Sequence, residues 1–187
     1  LYFEYHRGTL TSMGRNKRSN RKSELGLMDL ELLSVLASGT MNYPASELDS
    51  MWKVVLLNQF HDILPGSSIR EVYEVTGEEY AQLAGQLSSM TEERMRAIAG
   101  PGGGITVFNT TGKRRDDVVS LEGFTGGALM DGEGEVYPVQ RTANGAVVYV
   151  KNIPSKGYKS FAVVDSAADT GTLCPFELTD DYELETP

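Results

Sequence analysis

The spacing of apolar residues changes period once along the chain. From Thr9 to about Ser38 they crowd at Leu25, Leu27, Met28, Leu30, Leu32, Leu33, Val35 and Leu36, which predicts a first helix stopped by Gly39. A second helix is predicted from Pro44, placed in the first turn where a missing N–H does no harm. Its Leu48, Met51, Trp52, Val55 and Leu56 recur along one face, and Pro65-Gly66 is its expected end. A third helix is predicted from Ser68 to about Ile98, with Ser68 and Glu71 in a capping-box pattern. Its stripe reads Ile69, Val72, Tyr73, Thr76, Tyr80, Leu83, Leu87 and Met90. Gly77 interrupts it at a cost of about 1 kcal/mol relative to alanine, so a bend or close packing is expected there. Long amphipathic helices on short connections predict an antiparallel, up-down-up three-helix bundle over residues 1–100.

After "AGPGGG" (99–104) the pattern becomes short and alternating. Strands are predicted at 105–109, 116–121, 128–131, 135–140, 146–151 and 158–164. Turn signals separate them at Thr111-Gly112, Gly126-Gly127, Asp131-Gly132, Asn144-Gly145 and Lys156-Gly157. Such strands argue for a sandwich or barrel. Beyond Val164 the chain turns polar and acidic, so residues 101–187 are expected to form the N-terminal part of a truncated β-sandwich. The fold class is therefore α+β in two parts: an antiparallel three-helix bundle followed by a partial β-sandwich. No internal repeat with a solenoid period is present.

Composition narrows the partners. A formal net charge of −9 over 187 residues argues against nucleic acid as the main partner. No apolar run is long enough to cross a bilayer, so no membrane partner is expected. Cys174, the only cysteine, excludes an internal disulfide and a cysteine-rich zinc site and favours a reducing compartment. The chain opens on Leu1, and "LYFEYHRG" is neither a basic leader nor an apolar signal core, so an excised or processed piece of a longer protein is expected.

The strongest chemical candidate is His61-Asp62, in "LLNQFHDILPGSSI" (56–69). A neutral imidazole is the commonest protein metal ligand. A histidine at a helix end also caps the last carbonyls, aided by the dipole. Spacing leaves both readings open. Zinc takes three or four protein ligands, and no second histidine or cysteine clusters with His61, so a site built on it would lie largely elsewhere. His6, in "EYHRGTLTS", reads as a loop histidine or as one facing a neighbouring domain. "RNKRSNRK" (15–22) places Arg15, Arg18 and Lys22 on one helical stripe, a solvated face or one pairing with an acidic neighbour. "GPGGG" lacks the Lys-Ser/Thr of a phosphate loop and reads as a linker. Asn109-Thr110-Thr111 is a glycosylation sequon, meaningful only in a secreted protein, and "DDYELE" reads as a solvated or truncated tail.

"QFHDILPGSSI" resembles the signature of glycoside hydrolase family 38, the class II alpha-mannosidases, particularly the bacterial and the vacuolar or cytosolic branch. "LYFEYHRGTLTSMGRNKRSNRKSE" and "YPASELDSMWKVVLLNQFHD" are similar to the first two helices of that family's middle domain. "TVFNTTGKRRDDVVSL" and "IPSKGYKSFAVV" are similar to the β-rich region that follows. The resemblance covers most of residues 1–165, in order.

It implies a retaining, metal-dependent hydrolysis of α-linked mannose in oligosaccharides or small glycosides. The nucleophile and a His-x-Asp ligand pair then lie on an N-terminal catalytic domain that is absent from this chain. His61 is implied as the fourth ligand of a divalent metal, usually zinc, and Asp62 as a hydrogen-bonding partner of sugar hydroxyls. His6 and Arg7 are implied near the active-site mouth, on the substrate side. The expected partners are that catalytic domain and a mannoside substrate, in a cytoplasmic parent, and the chain by itself is expected to be inactive. No motif sets the oligomeric state. Two other functions fit the same residues: a relative acting on phosphorylated or glycerate-linked mannosides, and a non-catalytic carbohydrate-binding or interaction module.

Overall fold

A computed structural model describes residues 8–165 and the backbone of residues 177–178 and 184–185. The chain divides into two units, Leu1–Gly100 and Pro101–Pro187. The first contains α1 (Gly14–Leu36), α2 (Ala45–Asn58) and α3 (Arg70–Ala99). Asn20 meets Tyr80, Gly26 meets Leu87 and Ser34 meets Arg94, so α1 and α3 run parallel in step. Glu31 meets Trp52 while Glu24 meets Gln59, so α2 runs antiparallel to α1. The bundle is thus up-down-up.

Only one stripe of each helix can face a common core at 3.6 residues per turn. Leu27 and Leu30 of α1, Leu48, Met51 and Val55 of α2, and Tyr80, Leu83 and Leu87 of α3 supply it. Leu25, Met28, Val35 and Leu36, within the crowded apolar run, remain on the surface, as does Leu56. An apolar run denser than the helical period cannot all be buried.

Several helix ends differ from their sequence signals. α1 begins at Gly14 rather than Thr9, because Thr11 and Ser12 donate to Gly8 O in a separate turn and Met13 has φ 48°. It ends at Leu36, before Gly39: the N–H groups of Thr40 and Met41 both turn back to Ala37 O. Pro44 stands just outside α2, its carbonyl accepting the Leu48 N–H at 3.0 Å. α2 ends at Asn58, seven residues before Pro65. Ser68 does not cap α3. The helix begins two residues later, its N-cap Ile69 offers no side-chain cap, and the Ser68 N–H donates instead to Tyr73 Oη at 3.1 Å. A Cβ at Gly77 would meet nothing within 4 Å, whereas one at Gly26 would lie 3.1 Å from Leu87 Cδ1. The close helix–helix approach is at Gly26.

The second unit holds β1 (Ile105–Asn109), β2 (Arg115–Glu122), β3 (Ala128–Asp131), β4 (Val136–Thr142), β5 (Gly145–Ile153) and β6 (Gly157–Val164). All their pairings are antiparallel, in the order β1-β6-β3-β4-β5-β2. β4 pairs with β3 through Val136–Pro138 and with β5 through Val139–Thr142, so one strand is shared by two halves of the sheet. Both halves face one core, built from Leu129, Tyr137, Val148, Val150, Ile153 and Phe161. That is the partial sandwich the alternation predicts. β7 (Glu177–Leu178) and β8 (Leu184–Glu185) pair in a stretch whose polar sequence carries no strand signal. No helix among the described residues is long and apolar enough to cross a membrane.

The sequon has a structural use. Asn109 is buried; its Nδ2 donates to the carbonyls of Lys113, Ile153 and Pro154, and its Oδ1 accepts from Thr111 N and Oγ1. A glycan on Nδ2 would disrupt its bonds to those three carbonyls.

Candidate functional site

Beyond Asn58 the chain keeps turning without continuing the helix. Gln59 N–H returns to Val55 and Leu56, and Phe60 N–H to Leu57, which satisfies the terminal carbonyls. Ile63 and Leu64 N–H then donate to Phe60 O at 2.9 and 3.1 Å, and Gly66 N–H to Ile63 O at 3.3 Å. This tight turn puts His61 and Asp62 on its outside, their side chains 75% and 55% exposed. His61 Nε2 lies 3.3 Å from Asp62 Oδ2, and the Phe60 ring sits 4.1 Å from the imidazole, centroid to centroid. Among the described residues the imidazole donates to no helix carbonyl, so the capping reading of His61 has no bond to support it.

The turn is braced from both neighbouring helices. From α1, Asn16 Nδ2 donates to Ile63 O at 3.2 Å and Lys17 Nζ to Pro65 O at 3.2 Å. From α3, Tyr73 Oη lies 3.2 Å from Asp62 O and 3.1 Å from Ile63 O. Ser67 Oγ donates to Asp62 Oδ1 at 3.3 Å. Gly66 has φ +99°, and a Cβ there would come within 2.8 Å of Ser12 Cβ, so both conformation and space require glycine.

Beneath the turn the bundle core becomes polar. Asn20 Oδ1 accepts from Gln59 Nε2 at 3.1 Å and from Tyr80 Oη at 3.2 Å, and Gln59 Nε2 also donates to Glu24. Thr76 Oγ1 donates to Asn58 Oδ1 at 2.7 Å, and Asn58 Nδ2 to Glu79 at 2.7 Å. Burial, then the charges of Glu24 and Glu79, push the Tyr80 phenol up to about 12, so it stays a neutral donor. Thr76 and Tyr80 stand in the apolar stripe of α3, whereas no sequence pattern marks Asn16, Asn20, Asn58 or Gln59 as members of this network. The nearest signal is Asn58-Gln59 itself, two amides at the end of an apolar face.

An exposed imidazole beside a carboxylate is a donor set suited to a divalent cation such as zinc. Among the described residues no group of three or more His, Cys, Asp or Glu side chains could hold a metal. The pair therefore fits a metal as part of a site and not as a whole one. His6, Arg7 and Cys174 lie outside the described residues. Of the basic run, Lys17 is spent on the Ser12 and Pro65 carbonyls and Arg21 pairs with Glu24 at 3.2 Å, while Arg18 and Lys22 line an α1–α3 groove with Asp29 and Glu92. Neither His61 nor Asp62 lines that groove.

Known proteins resemble this chain in the same region. Residues 4–98 match the family described as alpha mannosidase middle domain. An alpha-mannosidase of Saccharomyces cerevisiae is 49% identical over 78 residues, which is 40% of this chain and 7% of the yeast protein. The human alpha-mannosidase 2C1 is 37% identical over 127 residues, 65% of this chain and 12% of its own length. The matches thus span 7% and 12% of these two relatives. A glycosyl hydrolase family 38 protein from Enterococcus faecalis superposes with a TM-score of 0.70 at 18% identity, over 95% of this chain and 29% of its own. An alpha-mannosidase structure from Enterococcus faecalis V583 gives 0.67 at 17% identity, over 95% and 28%. At that identity the structures speak for the fold; with the family match they agree on one lineage. The chain belongs to the alpha-mannosidases of glycoside hydrolase family 38, and its helical unit is their middle domain.

Proposed function

We propose that this chain serves a retaining, metal-dependent alpha-mannosidase of the cytoplasm, supplying one zinc ligand, His61, and one substrate-binding carboxylate, Asp62. The observation that carries the reading is a single one: an imidazole and a carboxylate, both exposed, on a turn braced by two other helices. A buried or freely mobile pair would serve a ligand role poorly. The names of the relatives, alpha-mannosidases, support the reaction class.

In this reading His61 reaches across a domain boundary to complete a site whose other ligands, nucleophile and general acid belong to an N-terminal catalytic domain. Zinc, when bound, would supply positive charge that orients and polarises the sugar hydroxyls. Asp62 accepts hydrogen bonds from those hydroxyls, and its carboxylate also lies close enough to steer the imidazole. The partner carboxylates that cleave with retention stand about 5 Å apart, an arrangement left to the catalytic domain. His6 and Arg7 are proposed to approach the substrate side.

The test is hydrolysis of a chromogenic α-mannoside by the full-length enzyme and by its His61→Ala variant, each before and after chelation and with zinc restored. The expected result is zinc-dependent turnover in the wild type and loss of about a hundredfold or more in the variant, since positioned metal chemistry contributes several kcal/mol. Full activity in His61→Ala defeats the ligand assignment. A parent with no glycosidase activity would favour a carbohydrate-binding or interaction module instead.

A further inference from the structure

We infer that Tyr73 is a positioning residue for the His61-Asp62 turn, acting through its phenol oxygen on the backbone that carries both side chains. The inference rests on the proposed ligand role of His61. The exposed His61 side chain meets the Phe60 ring and the Asp62 carboxylate, both its own neighbours on the turn, so the direction of the whole group follows the backbone that carries it. Tyr73 Oη lies 3.2 Å from Asp62 O and 3.1 Å from Ile63 O, and accepts the Ser68 N–H at 3.1 Å. One oxygen thereby joins the start of the turn to its end, residues 62 and 68, and fastens both to the first part of α3. A phenol has one proton to donate and lone pairs to accept, so the hydroxyl shares its proton between the two carbonyls while holding the amide.

The same carbonyl is gripped from the opposite helix. Ile63 O also accepts Asn16 Nδ2 at 3.2 Å, so α1 and α3 meet on one atom, one residue beyond Asp62. α2 delivers the pair, and α1 and α3 decide where it points. Sequence pattern assigns Tyr73 to the apolar stripe, and its ring does lie half-buried there. Its hydroxyl sits at the polar end of the bundle, and Tyr73 is outside the buried cluster of Leu27, Leu30, Val55 and Leu83. Removing that oxygen therefore changes the turn more than the fold. Partners that bond a metal ligand directly are worth about tenfold to a hundredfold in metal affinity, and Tyr73, acting through the backbone, is expected at the lower end of that range.

The experiment compares wild type, Tyr73→Phe and His61→Ala in the full-length protein by zinc affinity, in competition with a chromophoric chelator. Amide exchange over residues 60–68 and the urea midpoint are measured alongside. In Tyr73→Phe the expected result is zinc affinity down about tenfold or more, faster exchange in the turn and a nearly unchanged midpoint. Wild-type zinc affinity in Tyr73→Phe, with loss in His61→Ala, overturns the positioning role and leaves the ligand reading standing. Wild-type affinity in both variants overturns the ligand reading and the positioning role together. Weakened affinity without faster exchange in the turn also overturns it, since the hydroxyl is held to act through that backbone.

Discussion

Two aspartates show how environment divides one residue type. Asp62 is exposed on its turn, beside His61 and Ser67. Asp131 is buried in the second unit, where Lys159 Nζ sits 2.7 Å from its Oδ2, Tyr137 Oη donates at 3.0 Å, and the N–H groups of Glu133 and Glu135 bond its Oδ1. The Lys159 bond, opposed by burial and helped by the backbone N–H and Tyr137 bonds, lowers the Asp131 carboxyl to about 2. A carboxylate more acidic in the folded state stabilises above its unfolded pKa, near 4, and that stability is lost as pH falls through about 2. Acid titration of the urea midpoint should show this step, and in Lys159→Met it should move to higher pH. The same variant leaves a buried carboxylate unpaired and should cost about 3–5 kcal/mol at neutral pH, read from urea unfolding by circular dichroism. His61 and Asp62 were legible as residues because they stand in a specific string. Asn16, Asn20, Asn58 and Gln59 were not: polar side chains read as surface until their buried partners are known, and those partners lie on other helices.

At the scale of elements, periodicity located all three helices and six strands, while termini followed other physics. A helix ends where its last carbonyls find donors, and here backbone turns supply them before Gly39 and before Pro65. Gly77 and Gly26 make a direct test of what pattern alone misjudges. Gly77→Ala fills open space on a helix and should stabilise by about 1 kcal/mol. Gly26→Ala must displace Leu87 Cδ1 from 3.1 Å and should gain less or lose stability. Thermal unfolding of both variants, followed at the single tryptophan, Trp52 of α2, measures the difference.

For the whole molecule, the candidate site is a surface feature, and its energetics separate from those of folding. His61→Ala removes an exposed side chain and should alter the chain's unfolding free energy by no more than about 0.5 kcal/mol. If the site is divided between domains as proposed, the 187-residue chain saturated with zinc should hydrolyse no α-mannoside. Detectable turnover by the purified chain would refute the division of the site between domains.

The sequence by itself determined the bundle-then-sheet order, the stripes that form each core, and the family string around His61-Asp62. These are local matters of period and residue identity, set before any long-range contact forms. Only the tertiary structure decided that His61 is exposed and bonded to no helix carbonyl, that Asn109 is buried, and that Tyr73 and Asn16 hold the turn. The hold on the turn depends on residues 10 and 47 positions from Ile63 reaching the same carbonyl oxygen. No local pattern encodes such a meeting, because it exists only once α1 and α3 have packed.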